Sequence, residues 1–270
     1  NYYRNLHESH TAFYKNSAKY PVTGICSHPE AKNHKKTQNS FICSVYLHKN
    51  KKSRAKPVQN IFRSHYFIRM SKNIPERHKQ IIAQKDTFQA IGLDAIREGK
   101  LCLLLLAGGQ GTRLGFDKPK GCFNIGIHKK LYIFELLIAH TLEVVHAANA
   151  WIPLYIMTSN INYKDTVNFF EEHNYFGYRA EYVHFFVQEL NPATDLDGKI
   201  LLKSKYELAL SPNGNGGWFS SMHKAGLLDT IFESNLEWIN VFSVDNVLQR
   251  IADPVFLGAT IASGKMSGAK

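Results

Sequence analysis

One short stretch constrains the fold more than any other. The aliphatic run LCLLLLA, Leu101 to Ala107, opens directly into GGQGTRLGFDKPKG, Gly108 to Gly121. A brief continuous apolar run bounded by a glycine-rich turn reads as a strand buried on both faces, as in the parallel sheets of α/β proteins. The run is also the longest purely aliphatic one in the chain, far below the roughly 18 residues of a membrane-spanning helix, so no transmembrane segment is expected.

The turn that follows has the composition of an anion cradle. Glycines at 108, 109 and 111 let the backbone adopt positive φ and approach a ligand without a Cβ in the way, so that successive N–H groups can converge on phosphate oxygens. Arg113, Lys118 and Lys120 bring full positive charge to the same turn. A purely structural glycine turn is the alternative, and it leaves this crowding of cations unexplained. Two commoner phosphate loops do not fit. No Gly-Lys-Ser/Thr occurs, which excludes a P-loop, and Gly109, Gly111 and Gly115 are one residue too widely spaced for a dinucleotide fingerprint.

Charge divides the chain. The net charge of +11 suggests a nucleic-acid or membrane partner only if it covers a folded surface. Residues 1–75 hold 14 Lys+Arg against 2 Asp+Glu, whereas the remaining 195 hold 19 against 20. The basicity therefore belongs to the first 75 residues, which also carry six of the 13 histidines and show no sustained helical or alternating period. That segment is expected to be a mostly disordered tail, with initiation near Met70 as a further expectation. An intact mass that includes His7 and Lys15 would refute such a start. The four cysteines show no C-x-x-C pairing, which points to a reducing, cytosolic setting without a disulfide or zinc framework.

From about Glu76 helices and short apolar strands alternate, the pattern of an α/β domain with a mostly parallel sheet. Helices are predicted over 76–96, 133–146, 164–173 and 217–228, and strands over 101–107, 153–158, 182–187 and 239–244. A last helix is marked by Asp253 as cap, Pro254 at its first position and Gly264 at its close. Asp245 stands at the C-terminal end of INVFSV, the edge where open α/β sheets hold ligands, although capping a helix is its alternative role. Gln188, read alone, is an exposed loop residue, and PNGNGG around Gly214 is a turn. Histidines such as His140, His146 and His173 lack partners at metal-ligand spacing.

The segment LAGGQGTRLG, with Lys120 following in PKG, resembles the signature of eukaryotic UDP-N-acetylhexosamine pyrophosphorylases; Ala107 and Gln110 favour that branch over UDP-glucose relatives. WIPLYIMTS, DGKILL, PNGNGG and VFSVDN extend the resemblance over about residues 85–270. The resemblance implies a Rossmann-like nucleotidyltransferase domain of the glycosyltransferase-A kind, with a mixed, mostly parallel sheet flanked by helices, here residues 76–270 and incomplete at its C-terminal end. It implies transfer of a uridylyl group from UTP to N-acetylglucosamine 1-phosphate, with Mg²⁺ or Mn²⁺ as cofactor. By the same resemblance Leu106, Ala107, Gly108 and Gly109 hold the nucleoside end and begin the phosphate loop. Arg113 and Lys120 act on the phosphates, Gln188 reads the uracil edge, and Gly214 lies against the nucleotide. Asn215 binds the sugar phosphate, and Asp245 serves UTP and the metal.

Val187 stands where the family usually has a first glutamine before Gln188, and Trp218 and Phe219 occupy positions that are smaller or aliphatic in many members. Sugar-gripping residues and a later lysine of the family have no counterpart before Lys270. A broad UDP-sugar pyrophosphorylase and a catalytically incomplete nucleotide-binding piece are therefore carried as alternatives. A nucleic-acid binder acting through the tail is ranked last, no membrane partner is expected, and the oligomeric state stays open.

Overall fold

The computed structural model describes residues 82–269, Lys79, and the backbone of strand β1, Cys43–Tyr46. The elements that follow are α1 (Lys85–Arg97), β2 (Leu101–Leu106), α2 (Ile133–Ala148), β3 (Leu154–Thr158), α3 (Tyr163–Glu172) and β4 (Val183–Val187). After four short strands, β5 (Leu190–Pro192), β6 (Leu202–Ser204), β7 (Glu207–Leu208) and β8 (Leu210–Pro212), come helices α4 (Trp218–Lys224) and α5 (Leu227–Glu233). The chain then forms β9 (Trp238–Ser243), α6 (Pro254–Ala262) and β10 (Ser267–Ala269).

The main sheet has the order β10-β1-β9-β2-β3-β4. Pairs β9/β2, β2/β3 and β3/β4 are parallel, and β1 runs antiparallel to both β9 and β10. The sheet is thus mixed but mostly parallel, as expected. β5 pairs with β8 and β6 with β7 in two small antiparallel ladders outside it.

Every residue of β2 is buried because helices cover both faces. Leu101, Leu103 and Leu105 point into a core with Ile96, Phe134 and Leu257 from α1, α2 and α6. Cys102, Leu104 and Leu106 face the other way, against Met222, Leu228 and Ile231 from α4 and α5. The period of two in the strand is what splits one leucine run between two cores. On the first face α1 and α6 approach until backbones touch: a Cβ on Gly92 would lie 2.0 Å from the Pro254 carbonyl oxygen, and one on Gly258 would lie 1.8 Å from that of Phe88.

Local signals explain most element ends. The Glu135 carboxylate accepts from the Tyr132 N–H at 3.2 Å to open α2, and Asn149, with φ 52°, closes it. Asp253 Oδ1 accepts from the Val255 N–H at 3.0 Å, Pro254 begins α6, and Gly264 follows with φ 63°. Two expectations need correction. The single helix predicted over 217–228 is two helices, because Gly226 takes φ 72° between them. In the segment expected to be a basic, mostly disordered tail, Cys43–Tyr46 is a sheet strand; the rest of 1–75 and most of the predicted helix before residue 82 lie outside the described residues. No helix among the described residues is long and apolar enough to cross a membrane.

Candidate functional site at the switch point of the sheet

The strand order creates the site. From β2 the chain steps to β3 and β4 on one side and only later returns through β9 on the other. At such a reversal the loops leaving neighbouring strands diverge to opposite faces, which opens a crevice at their C-terminal ends. The glycine turn leaves β2 into this crevice, and Asp245 leaves β9 into it. Leu106 pairs with Ser243, and the Val244 N–H donates to the Leu106 carbonyl at 3.1 Å, so the two strands end level.

The glycine turn folds back on itself. The Gly111 N–H donates to the Lys118 carbonyl at 3.0 Å, and the Lys120 N–H donates to the Gly109 carbonyl at 3.1 Å, pairing Gln110 with Pro119. This ladder returns Lys120 to the beginning of the turn, from which its ammonium pairs with the Asp245 carboxylate across the crevice. The other Asp245 oxygen, Oδ2, accepts from Ser243 Oγ at 3.1 Å. Asp245 therefore caps no helix: its carboxylate is oriented by a cation and a hydroxyl at a strand end. Two residues beyond Lys120, burial pushes the Cys122 thiol up to about 12, which leaves it protonated and unfit as a nucleophile.

Packing fixes two of the turn's glycines. A Cβ on Gly111 would come within 2.8 Å of the Phe116 ring, and one on Gly121 within 2.2 Å of the ring of Phe134, which is fully buried. Gly109 instead has open space where a Cβ would project.

Gln188 is 5% exposed, which excludes the reading of an exposed loop residue. Its N–H donates to the Thr158 carbonyl at 2.7 Å, and its Nε2 donates to the Gly214 carbonyl at 2.7 Å. A Cβ on Gly108 would lie 3.1 Å from Gln188 Oε1. One side chain thus connects the start of the glycine turn to the PNGNGG loop. Gly214 has φ 80° and ψ 172°, a conformation open only to glycine, and Asn215 follows it, exposed, at the head of a short 3₁₀ turn.

The structure therefore gathers Leu106, Ala107, Gly108, Gly109, Lys120, Gln188, Gly214 and Asp245 around one crevice. Arg113 does not join the Lys120–Asp245 pair; it sits exposed on the 3₁₀ turn Thr112–Leu114 and forms no salt bridge among the described residues. Two participants escaped the sequence reading. Ser243 orients Asp245, and Asn162 donates from Nδ2 to the carbonyls of Gly108 and Gly109. Ser243 lies inside VFSVDN but a serine at a strand end signals nothing by itself, and Asn162 belongs to no motif, since an asparagine at a helix start is common for other reasons.

Comparison with known proteins agrees with this fold. The chain is 37% identical over 208 residues to UDP-N-acetylglucosamine diphosphorylase 2 of Arabidopsis thaliana, an overlap covering 73% of this chain and 41% of that protein. It is 40% identical over 185 residues to the UDP-N-acetylglucosamine pyrophosphorylase of Saccharomyces cerevisiae, covering 67% and 39% respectively. Its fold matches the crystal structure of the uridine diphosphate N-acetylglucosamine pyrophosphorylase of Trypanosoma brucei, solved with an inhibitor. That match has a TM-score of 0.64 and 32% identity, and it covers 70% of this chain and 40% of that one. The chain thus spans about two fifths of the length of the relatives it matches. The profile of the UTP–glucose-1-phosphate uridylyltransferase family matches residues 50–267, beginning upstream of residue 85, where the sequence resemblance was expected to start. A glycine turn and an aspartate meeting at the switch point, in a chain matched over most of its length by one profile, make this protein a member of the UTP–glucose-1-phosphate uridylyltransferase family.

Proposed function

We propose that this chain is the nucleotide-binding part of a uridylyltransferase that joins UTP to N-acetylglucosamine 1-phosphate, giving UDP-N-acetylglucosamine and pyrophosphate. The observation that carries the reading is the convergence of the glycine turn, Lys120 and Asp245 on one crevice. The names of the relatives supply the sugar.

In the reaction an oxygen of the sugar phosphate attacks the α-phosphorus of UTP, forming a new P–O bond. The bond from the α-phosphorus to the bridging oxygen breaks, and pyrophosphate leaves with the electron pair. The attacking phosphate is already ionised, so no side chain has to remove a proton, and catalysis reduces to positioning and charge stabilisation. Lys120 supplies a cation for the charge that develops on phosphate oxygens, and the N–H groups of the glycine turn supply dipoles. Arg113 adds charge from the rim. Gln188, joined to Gly214 and lying beside Gly108, reads the uracil edge through its amide, and Leu106 and Ala107 floor the nucleoside end. Asn215 takes the sugar phosphate.

Asp245 would hold Mg²⁺ or Mn²⁺. A single half-exposed carboxylate suits an ion of this type, which takes one or two carboxylates and completes its shell with phosphate oxygens and water. When bound, such an ion neutralises phosphate charge. The buried free thiols Cys102 and Cys122 favour a reducing, cytoplasmic setting.

Titration of the chain with UTP in the presence of magnesium tests the reading directly. Saturable binding supports it, and indifference to UTP ends it. Pyrophosphate release with a panel of sugar 1-phosphates separates an N-acetylglucosamine enzyme from a broad UDP-sugar enzyme. A second reading, a nucleotide-binding segment unable to catalyse alone, is favoured by the two-fifths coverage of the relatives. It predicts UTP binding by the 270-residue chain, with turnover only in a longer protein.

A further inference from the structure

Asn162 makes contacts that its place in the chain does not require. It stands just before α3 yet gives that helix no side-chain cap. Its side chain instead crosses to the glycine turn, more than fifty residues away, and Nδ2 donates to the Gly108 carbonyl at 3.0 Å and the Gly109 carbonyl at 3.1 Å. The residue is fully buried, and its Oδ1 has no hydrogen-bond partner among the described residues. The two carbonyls therefore decide the orientation of the carboxamide, because only the NH₂ end can face two acceptors.

A trans peptide is planar, with its C=O and N–H on opposite sides. Tying the carbonyls of Gly108 and Gly109 to Asn162, the second of them shared with the Lys120 N–H, consequently turns the next N–H in each plane, those of Gly109 and Gln110, away from it. Neither N–H has a hydrogen-bond partner among the described residues. Two adjacent donors facing the same way on a backbone with no Cβ at Gly109 form a concave site for an anionic oxygen. We propose that Asn162 is a positioning residue that presents the Gly109 and Gln110 N–H groups to a phosphate of the bound nucleotide. This rests on the nucleotide reading above and adds to it the residue that sets the phosphate cradle.

The test is Asn162→Ala in the 270-residue chain, with UTP and uridine as separate probes followed by ligand-observed NMR in the presence of magnesium. Loss of donors that act through phosphate contacts should weaken UTP by about tenfold or more and leave uridine unchanged. UTP affinity equal to that of the unaltered chain, or a parallel loss of both ligands, would overturn the role, since a merely structural residue does not distinguish phosphate from base. Should the alanine variant fail to fold, Asn162→Thr, which keeps one donor, should show an intermediate loss for UTP alone. Unchanged UTP affinity in that variant overturns the role equally. If the unaltered chain does not bind UTP, the nucleotide reading itself fails, a result distinguishable from a variant that binds normally.

Discussion

The two arms beside the crevice are held in opposite ways. The turn from Gly108 to Gly121 is braced from within: Phe116 backs Gly111, the buried Phe134 backs Gly121, and a backbone ladder closes the turn on Lys120. The arm from Leu190 to Pro212 is held mainly by two short antiparallel ladders, while Leu196, Leu202, Tyr206 and Leu210 lie exposed. The difference teaches that the glycine-turn end of the site is fixed by the packed core of this chain. The other arm owes its shape to backbone pairing, which the core does little to enforce.

The largest expected effect lies in the braced arm. Lys120→Met should lower the rate of UDP-sugar formation, in an active protein containing this segment, by about 10² to 10³, the usual cost of a lost electrostatic donor. A loss as large from Leu202→Ser would break the contrast. Next, Gly121→Ala should cost about 1–3 kcal/mol in urea unfolding, because its methyl would enter the space of a Phe134 ring that cannot move outward.

A smaller effect concerns β4, the strand that delivers Gln188. His184 packs on Tyr155 with ring centroids 5.0 Å apart, and burial lowers its pKa from 6.5. A base with a depressed folded-state pKa is protonated first in the unfolded chain, so its contribution is complete above about pH 6.5 and is lost as the pH falls through and below that value. Melting temperatures measured downward from pH 7.5 should decline less steeply for His184→Gln than for the unaltered chain. Smallest of all, Leu202→Ser should shift stability by no more than about 0.5 kcal/mol, as at other exposed positions. A larger shift would mean that the outer arm is as firmly held as the inner one.

Much of the fold was legible because the signals were local and strong. The β2 leucine run, the period of α2 and the cap, proline and closing glycine of α6 each identify an element from its own residues. From the pattern alone Gly226 falls inside a helix, since a glycine within a helical pattern is tolerated often enough to give no warning. The contact of Gly92 and Gly258 with neighbouring backbone was equally hidden, for it exists only once α1 and α6 cross. In the candidate site, Lys120 and Asp245 were each marked by a motif, but their pairing depends on a ladder and on strand order. Asn162 had no mark, because its partners lie more than fifty residues away, and Ser243, although inside VFSVDN, acts through a side-chain contact with Asp245 that only the fold shows.

The sequence by itself determined the alternation of helices and strands, the glycine turn with its cations, and the aspartate at a strand end, because each depends on neighbours within a few residues. Tertiary structure alone decided that β9 returns beside β2, which brings residues 120 and 245 into contact, and that one buried carboxamide orients the turn. Those outcomes depend on which strands pair and which faces meet, and pairing across more than a hundred residues leaves no period or spacing for a linear reading to find.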